Sequence, residues 1–223
     1  MNDKGILYDL ASRVKEIACS EQMEEKRRLW RDQNSFRGDR PLIYLRAFAF
    51  DEFFDPSVLR CTDPFLRRYE KELHQTLFRS SLGDDYIIEP WLTLDASYIM
   101  ENGERWGVPV SLGEKPAAGG AAAFAPVLTD EDFSCLKPAA YAVDEKETAL
   151  RREQLEEALG GAMTVFVSRQ GPYSMWSGDI STDLAKMRGL EQIMWDAYDR
   201  PEWLHSLLAF MRDAILANLT LAE

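Results

Sequence analysis

The chain has 223 residues, with 38 acidic against 26 basic side chains and a net charge of −12. That length allows one domain with a substantial core. The interspersed acids argue against a general role on nucleic acid or on an anionic membrane, both of which need basic patches. Cys19, Cys61 and Cys135 are odd in number, far apart and without a C-x-x-C pair, so neither a disulfide framework nor a sequence-local zinc site is expected. The first twenty residues mix charge into every turn, and nowhere do 18 apolar residues run uninterrupted. No secretory signal or membrane span is expected, and cytoplasm is the default compartment.

In chain order, Ile6, Leu10, Val14, Ile17 and Ala18 fall at helical spacing within a helix expected over residues 5–31. RGDRP at 37–41 breaks it, and the strand-forming run LIYLRAFAF predicts a strand over 42–49. Asp63 as cap, Pro64 in the first turn and Gly83 at the end bound the next helix. YIIEPWLTL predicts a strand over 86–94, with Pro90 set against its central pairing. Residues 101–140, which include KPAAGGAAAFAP, read as an irregular surface excursion. A helix from Asp144 ends at Gly160–Gly161, and MTVFV predicts a strand at 163–168 covered on both faces. The loop RQGPYSMWSGD at 169–179 leads to one helix over STDLAKMRGLEQIMWDAYD, and Asp199 with Glu202 makes a capping pattern for a last helix. Helix–strand alternation predicts an α/β protein with a parallel sheet.

Several residues are weighed for chemistry. Glu89, Trp91, Asp95 and Tyr98 gather near the end of the second strand, where an acid serves either as a general acid or as a solvated rim residue. The methionines, Met163, Met187, Met194 and Met211 among them, read as core. No phosphate-binding glycine motif or G-x-S-x-G nucleophile elbow is present.

The segment from PVLTDEDF through the Gly-Gly helix end, the MTVFV strand, the GPYSMWSG loop, MRGLEQ and DRPEW resembles the middle of the uroporphyrinogen decarboxylase superfamily. DRPLIYLRAFAFDEFF resembles that family's first strand and its arginine-bearing loop. The resemblance implies a (β/α)₈ TIM barrel of which the first part is present, with an N-terminal helical segment over 1–38 and a partial barrel over 39–223. In such barrels the loops after the strands build the active-site face. Arg46, Phe50, Asp51, Glu89, Trp91, Tyr173, Trp176 and Asp179 are therefore the substrate-binding candidates.

The family's decarboxylases carry R-x-x-G-R after the first strand, fixed positive charge for a substrate rich in carboxylates. Here Arg46 remains, Phe50 stands where the second arginine would be, and Asp51 and Glu52 follow. Trp91 falls near the family's acid and Gly178 near its tyrosine. These departures favour the methyl-transferring branch, with a corrinoid and a small methylated substrate. In that branch an H-x-C pair and a later Cys bind zinc, but His74 and His205 here have no cysteine at ligand spacing, so no metal is assigned to this chain. Three other readings stay open: uroporphyrinogen decarboxylation with Arg46 and Arg169 as carboxylate contacts, an ion pair of Arg46 with Asp51 or Asp55, and a non-catalytic or incomplete barrel chain that forms oligomers. The expected partners are a small-molecule substrate and a corrinoid protein.

Overall fold

The computed structural model describes residues 2–46, 49–100, 106–112, 124–129, 132–138, 141–169 and 179–222. Its helices are α1 (Asp3–Ala18), α2 (Glu21–Asn34), α3 (Phe50–Phe53), α4 (Pro64–Ser80), α5 (Glu145–Leu159), α6 (Ile180–Arg188), α7 (Leu190–Asp199) and α8 (Pro201–Ala222). Its strands are β1 (Trp91–Asp95), β2 (Tyr98–Met100), β3 (Ser111–Leu112), β4 (Phe124–Ala125), β5 (Tyr141–Val143) and β6 (Thr164–Ser168). The chain is mixed α/β, and among the described residues the strands form three two-stranded sheets with no closed barrel. It divides into one unit of Met1–Leu94 with Ala149–Val167 and a second of Asp95–Thr148 with Ser168–Glu223.

The first unit is built on α1, whose Ile6, Leu7, Leu10 and Val14 are buried against Leu66, Tyr69 and Leu73 of α4 and Leu155 and Leu159 of α5. Burying each such side chain contributes about 1.5–3 kcal/mol. The single helix expected over 5–31 is two helices. Ser20 ends the first and caps the second, its hydroxyl accepting the Met23 N–H at 3.4 Å. Asp63 caps α4 as expected, accepting from Phe65 and Leu66, with Gly83 in the left-handed region beyond the helix end. Asp144 likewise accepts the Glu147 N–H at the start of α5, and Gly160 and Gly161 follow its end, both with positive φ.

The expected strand over 42–49 is not formed at 42–46, and residues 47–48 lie outside the described residues. Two carboxylates take the place of a neighbouring strand. Asp85 accepts the Ile43 N–H at 2.8 Å, Asp84 accepts the Leu45 N–H at 2.8 Å, and the Asp85 N–H donates to the Ile43 carbonyl. Arg40 grips Asp85 with both guanidinium nitrogens and helps hold its carboxyl down at about 2.

The second strand is shorter than expected, because Pro90 marks its start rather than a break inside it. β1 pairs with β6. The Thr164 N–H reaches the Pro90 carbonyl at one end and the Ala96 N–H reaches the Ser168 carbonyl at the other, so the two strands run parallel. Leu92, Leu94 and Val165 face the helices, whereas Trp91, Thr93, Thr164 and Phe166 are exposed. The MTVFV strand is thus covered on one face, not on the two expected. Among the described residues nothing covers its other face.

In the second unit the helix expected over 181–199 is again two. Gly189, at φ 84° and ψ 141°, joins α6 to α7 in a conformation open chiefly to glycine. Asp199 is the last residue of α7, so it does not cap α8 as expected; Arg200 stands at the break. Three elements meet on a buried ion pair. Arg188 donates to Asp196 through Nε at 2.8 Å and to the Leu128 carbonyl at 2.7 Å, and Gln192 and Arg200 also reach Asp196. Trp106 is buried within the stretch expected to be irregular, and its indole N–H donates to Asp183 at 2.8 Å. That stretch also holds β3 and β4, paired antiparallel with Ser111 opposite Ala125. β2 pairs antiparallel with β5, Tyr98 opposite Val143.

Candidate functional site

Among the described residues, two predicted site residues, Glu89 and Trp91, meet beside the open face of the β1–β6 sheet. A strand places alternate side chains on opposite faces, so W-L-T-L-D turns both leucines to the helices and Trp91 and Thr93 outward. Across the ladder Phe166 stands edge-on to Trp91, ring centroids 5.6 Å apart, the two side chains 54% and 40% exposed. The same alternation turns Asp95 outward with Trp91 and Thr93, so the open face of β1 carries a ring, a hydroxyl and one carboxylate.

Beside it lies a groove of about 210 Å³ lined by Glu89, Trp91 and Thr93, by Glu72 and Thr76 of α4, and by Tyr86. It can hold a small molecule of roughly ten non-hydrogen atoms, below the ~300 Å³ of ordinary ligand pockets. Glu89 does not stand alone beside the strand. Its carboxylate meets Arg27 at 2.8 Å, and the same guanidinium also donates to the carbonyls of Ala18 and Ile88. The hydrogen bond to Glu89 raises Arg27 above its ordinary value. Glu89 therefore anchors α2 to the approach of β1.

The other candidates stand elsewhere. Arg46 lies over the Tyr44 ring at 5.9 Å. Asp51 pairs with Lys71 at 2.7 Å, and Asp55 accepts from Ser57. Phe50 is buried, stacked on Phe54 and tilted against Phe78. It is a core side chain that anchors α3 on α4. Asp179 caps α6 and accepts from the hydroxyls of Ser181 and Thr182, which hold its carboxyl down at about 2. Tyr173 and Trp176 lie outside the described residues. Arg169 is engaged on Glu145 through both guanidinium nitrogens. Glu89 and Trp91 thus line one groove, and Arg46, Phe50 and Asp51 are not among its lining residues. Phe166 and Thr93 were missed as site residues. Their signal was the alternation in WLTLD and the single aromatic within MTVFV.

Among the described residues no group of three or more His, Cys, Asp and Glu side chains gathers where a metal ion could be held. His74, on α4, lies near Glu70 and Phe54, and burial lowers it from its ordinary value. The donor set a zinc ion needs is not assembled by these residues. No described helix is long and apolar enough to cross a membrane. Comparisons with protein-family models, with curated proteins and with solved structures give no match for this chain.

Proposed function

We propose that the chain is the opening and middle part of a uroporphyrinogen decarboxylase-like TIM barrel, on the branch that moves a methyl group between a small methylated substrate and a corrinoid. One observation carries the reading: a parallel β1–β6 pair with helices on one face and an uncovered aromatic face, Trp91 against Phe166, on the other. In a barrel, the face opposite the helices is the interior, filled by side chains of alternate strand positions. Aromatic and hydroxyl groups there, with the single carboxylate of Asp95, suit a methoxylated or methylated compound that carries no negative charge. A carboxylate-rich tetrapyrrole needs guanidinium groups instead. Arg169 is engaged on Glu145 and Arg46 lies over Tyr44, which weakens the decarboxylase alternative.

In this reading Trp91 is the first residue of β1 and so stands at the strand end away from a barrel's active-site rim. With Phe166 it forms an apolar floor that excludes water beneath the substrate, while Thr93, nearer the rim, donates or accepts one hydrogen bond. No zinc ligand is assigned to this chain and no step is routed through one. The corrinoid, when bound, supplies the methyl-carrying cobalt.

The test is spectroscopic. Purified protein is mixed with reduced cobalamin and a panel of methoxylated aromatics and methylamines, and methylcobalamin formation is followed by its absorbance. Turnover that falls at least tenfold in Trp91→Ala, with the circular dichroism unchanged, supports the proposal. Conversion of uroporphyrinogen to coproporphyrinogen would falsify it.

A further inference from the structure

The second unit carries an interaction surface that the methyl-transfer reading does not use. On α7 the side chains of Leu190, Met194 and Tyr198 are 71%, 75% and 83% exposed, and Trp195 is 56% exposed. A helix sets residues four apart in one row. Leu190, Met194 and Tyr198 therefore form an apolar row, and Glu191, Trp195 and Asp199 form the adjoining row, acid–indole–acid. The opposite side of the helix is committed to the interior through Asp196. The cations nearest in sequence, Arg188 and Arg200, are both turned onto that buried carboxylate, and α7 contains no Lys or Arg of its own.

We propose that this face docks a basic amphipathic helix from a partner protein. Large exposed apolar patches on a soluble fold mark interaction sites, and a helix laid face to face reads such rows through positions spaced three and four apart. The matching partner has an apolar row that meets Leu190, Met194 and Tyr198. Beside it runs a basic row whose cations meet Glu191 and Asp199, eight residues or about 12 Å apart along the axis. A cation between them lies over the Trp195 ring and gains a cation–π contact. The charge of −12 on the chain speeds the approach of such a partner. A second copy is the poorer occupant, because it brings a further −12 and supplies from α7 no cation to meet Glu191 or Asp199.

The probe is a synthetic 20-residue helix of Leu, Ala and Lys with its leucines in one row and its lysines in the adjoining row. A control peptide has the same composition with the rows scrambled. Isothermal titration at 0.15 M salt is expected to give a measurable Kd for the patterned peptide and at least tenfold weaker binding for the scrambled one. Glu191→Lys and Met194→Asp, both at exposed positions, are expected to weaken the patterned peptide at least tenfold, while Leu216→Ser on α8 leaves it unchanged. Equal binding of both peptides, or an undiminished Kd in Met194→Asp, overturns the proposal. So does sedimentation of the free chain as a dimer that Met194→Asp dissociates, since the face then belongs to a second copy.

Discussion

One buried acid does different work from those that drew attention in the sequence. Glu70 is fully buried and its carboxylate accepts from the N–H groups of Arg60 and Cys61 at 2.8 Å each, folding the segment before α4 onto that helix. Glu70→Ala leaves those donors unpaired and is expected to cost about 2–3 kcal/mol, read as a lower midpoint in urea unfolding. The same carboxylate bears on the buried Cys61 thiol. Burial first, and the Glu70 charge second, push it up to about 12. Cys19 and Cys135 are exposed. Ellman's reagent at neutral pH is therefore expected to titrate two thiols in the folded protein and the third only after denaturation; three fast thiols would show that the Cys61–Glu70 arrangement is wrong. None of this was legible in the sequence, because Glu70 sits in the charged run RRYEKE and nothing in that run distinguishes a clamped acid from a solvated one.

Among elements, boundaries set by side-chain caps and glycines were readable, and boundaries set by tertiary contacts were not. Asp63–Pro64, Asp144 and Gly160–Gly161 lie where the sequence places them, since each acts locally through a cap or a left-handed φ. The breaks at Ser20 and Gly189 are hidden because helix-forming residues continue on both sides of each. Gly189→Ala places a side chain at φ 84°, with the Pro126 ring 3.3 Å from its Cβ. The expected loss is roughly 1–3 kcal/mol, measurable by thermal unfolding. Segment 42–46 has strand composition but no backbone ladder, because its amides are claimed by Asp84 and Asp85, and no window on LIYLR alone reports that. Of the candidate site residues, Glu89 and Trp91 line one groove, Phe50 packs on α4 and Asp179 caps α6, placements that depend on tertiary packing and on helix capping.

For the molecule as a whole, both units rest on an aspartate held near 2. Asp85 in the first unit is lowered by Arg40 and the Ile43 amide. Asp196 in the second is raised by burial, but the hydrogen bonds from Arg188, Gln192 and Arg200 outweigh that and hold it at about 2. A carboxylate whose folded value lies below its unfolded value of 3.8 contributes stability at pH above 3.8 and loses it as pH falls toward 2. Acid titration followed by circular dichroism is expected to show stability draining across that window in both units. Arg188→Met leaves Asp196 buried with less of its compensation and is expected to cost about 3–5 kcal/mol already at neutral pH. A mild effect there would show that Arg200 and Gln192 suffice.

The parallel pairing of β1 with β6 joins residues about seventy positions apart, and parallel strands cannot be zipped from a local turn. During synthesis, Leu92 and Leu94 emerge long before Val165 and the α5 leucines that complete their surroundings. At ~5–20 residues per second, that interval lasts roughly 4–15 seconds on the ribosome. For that time a nascent apolar strand has no mate.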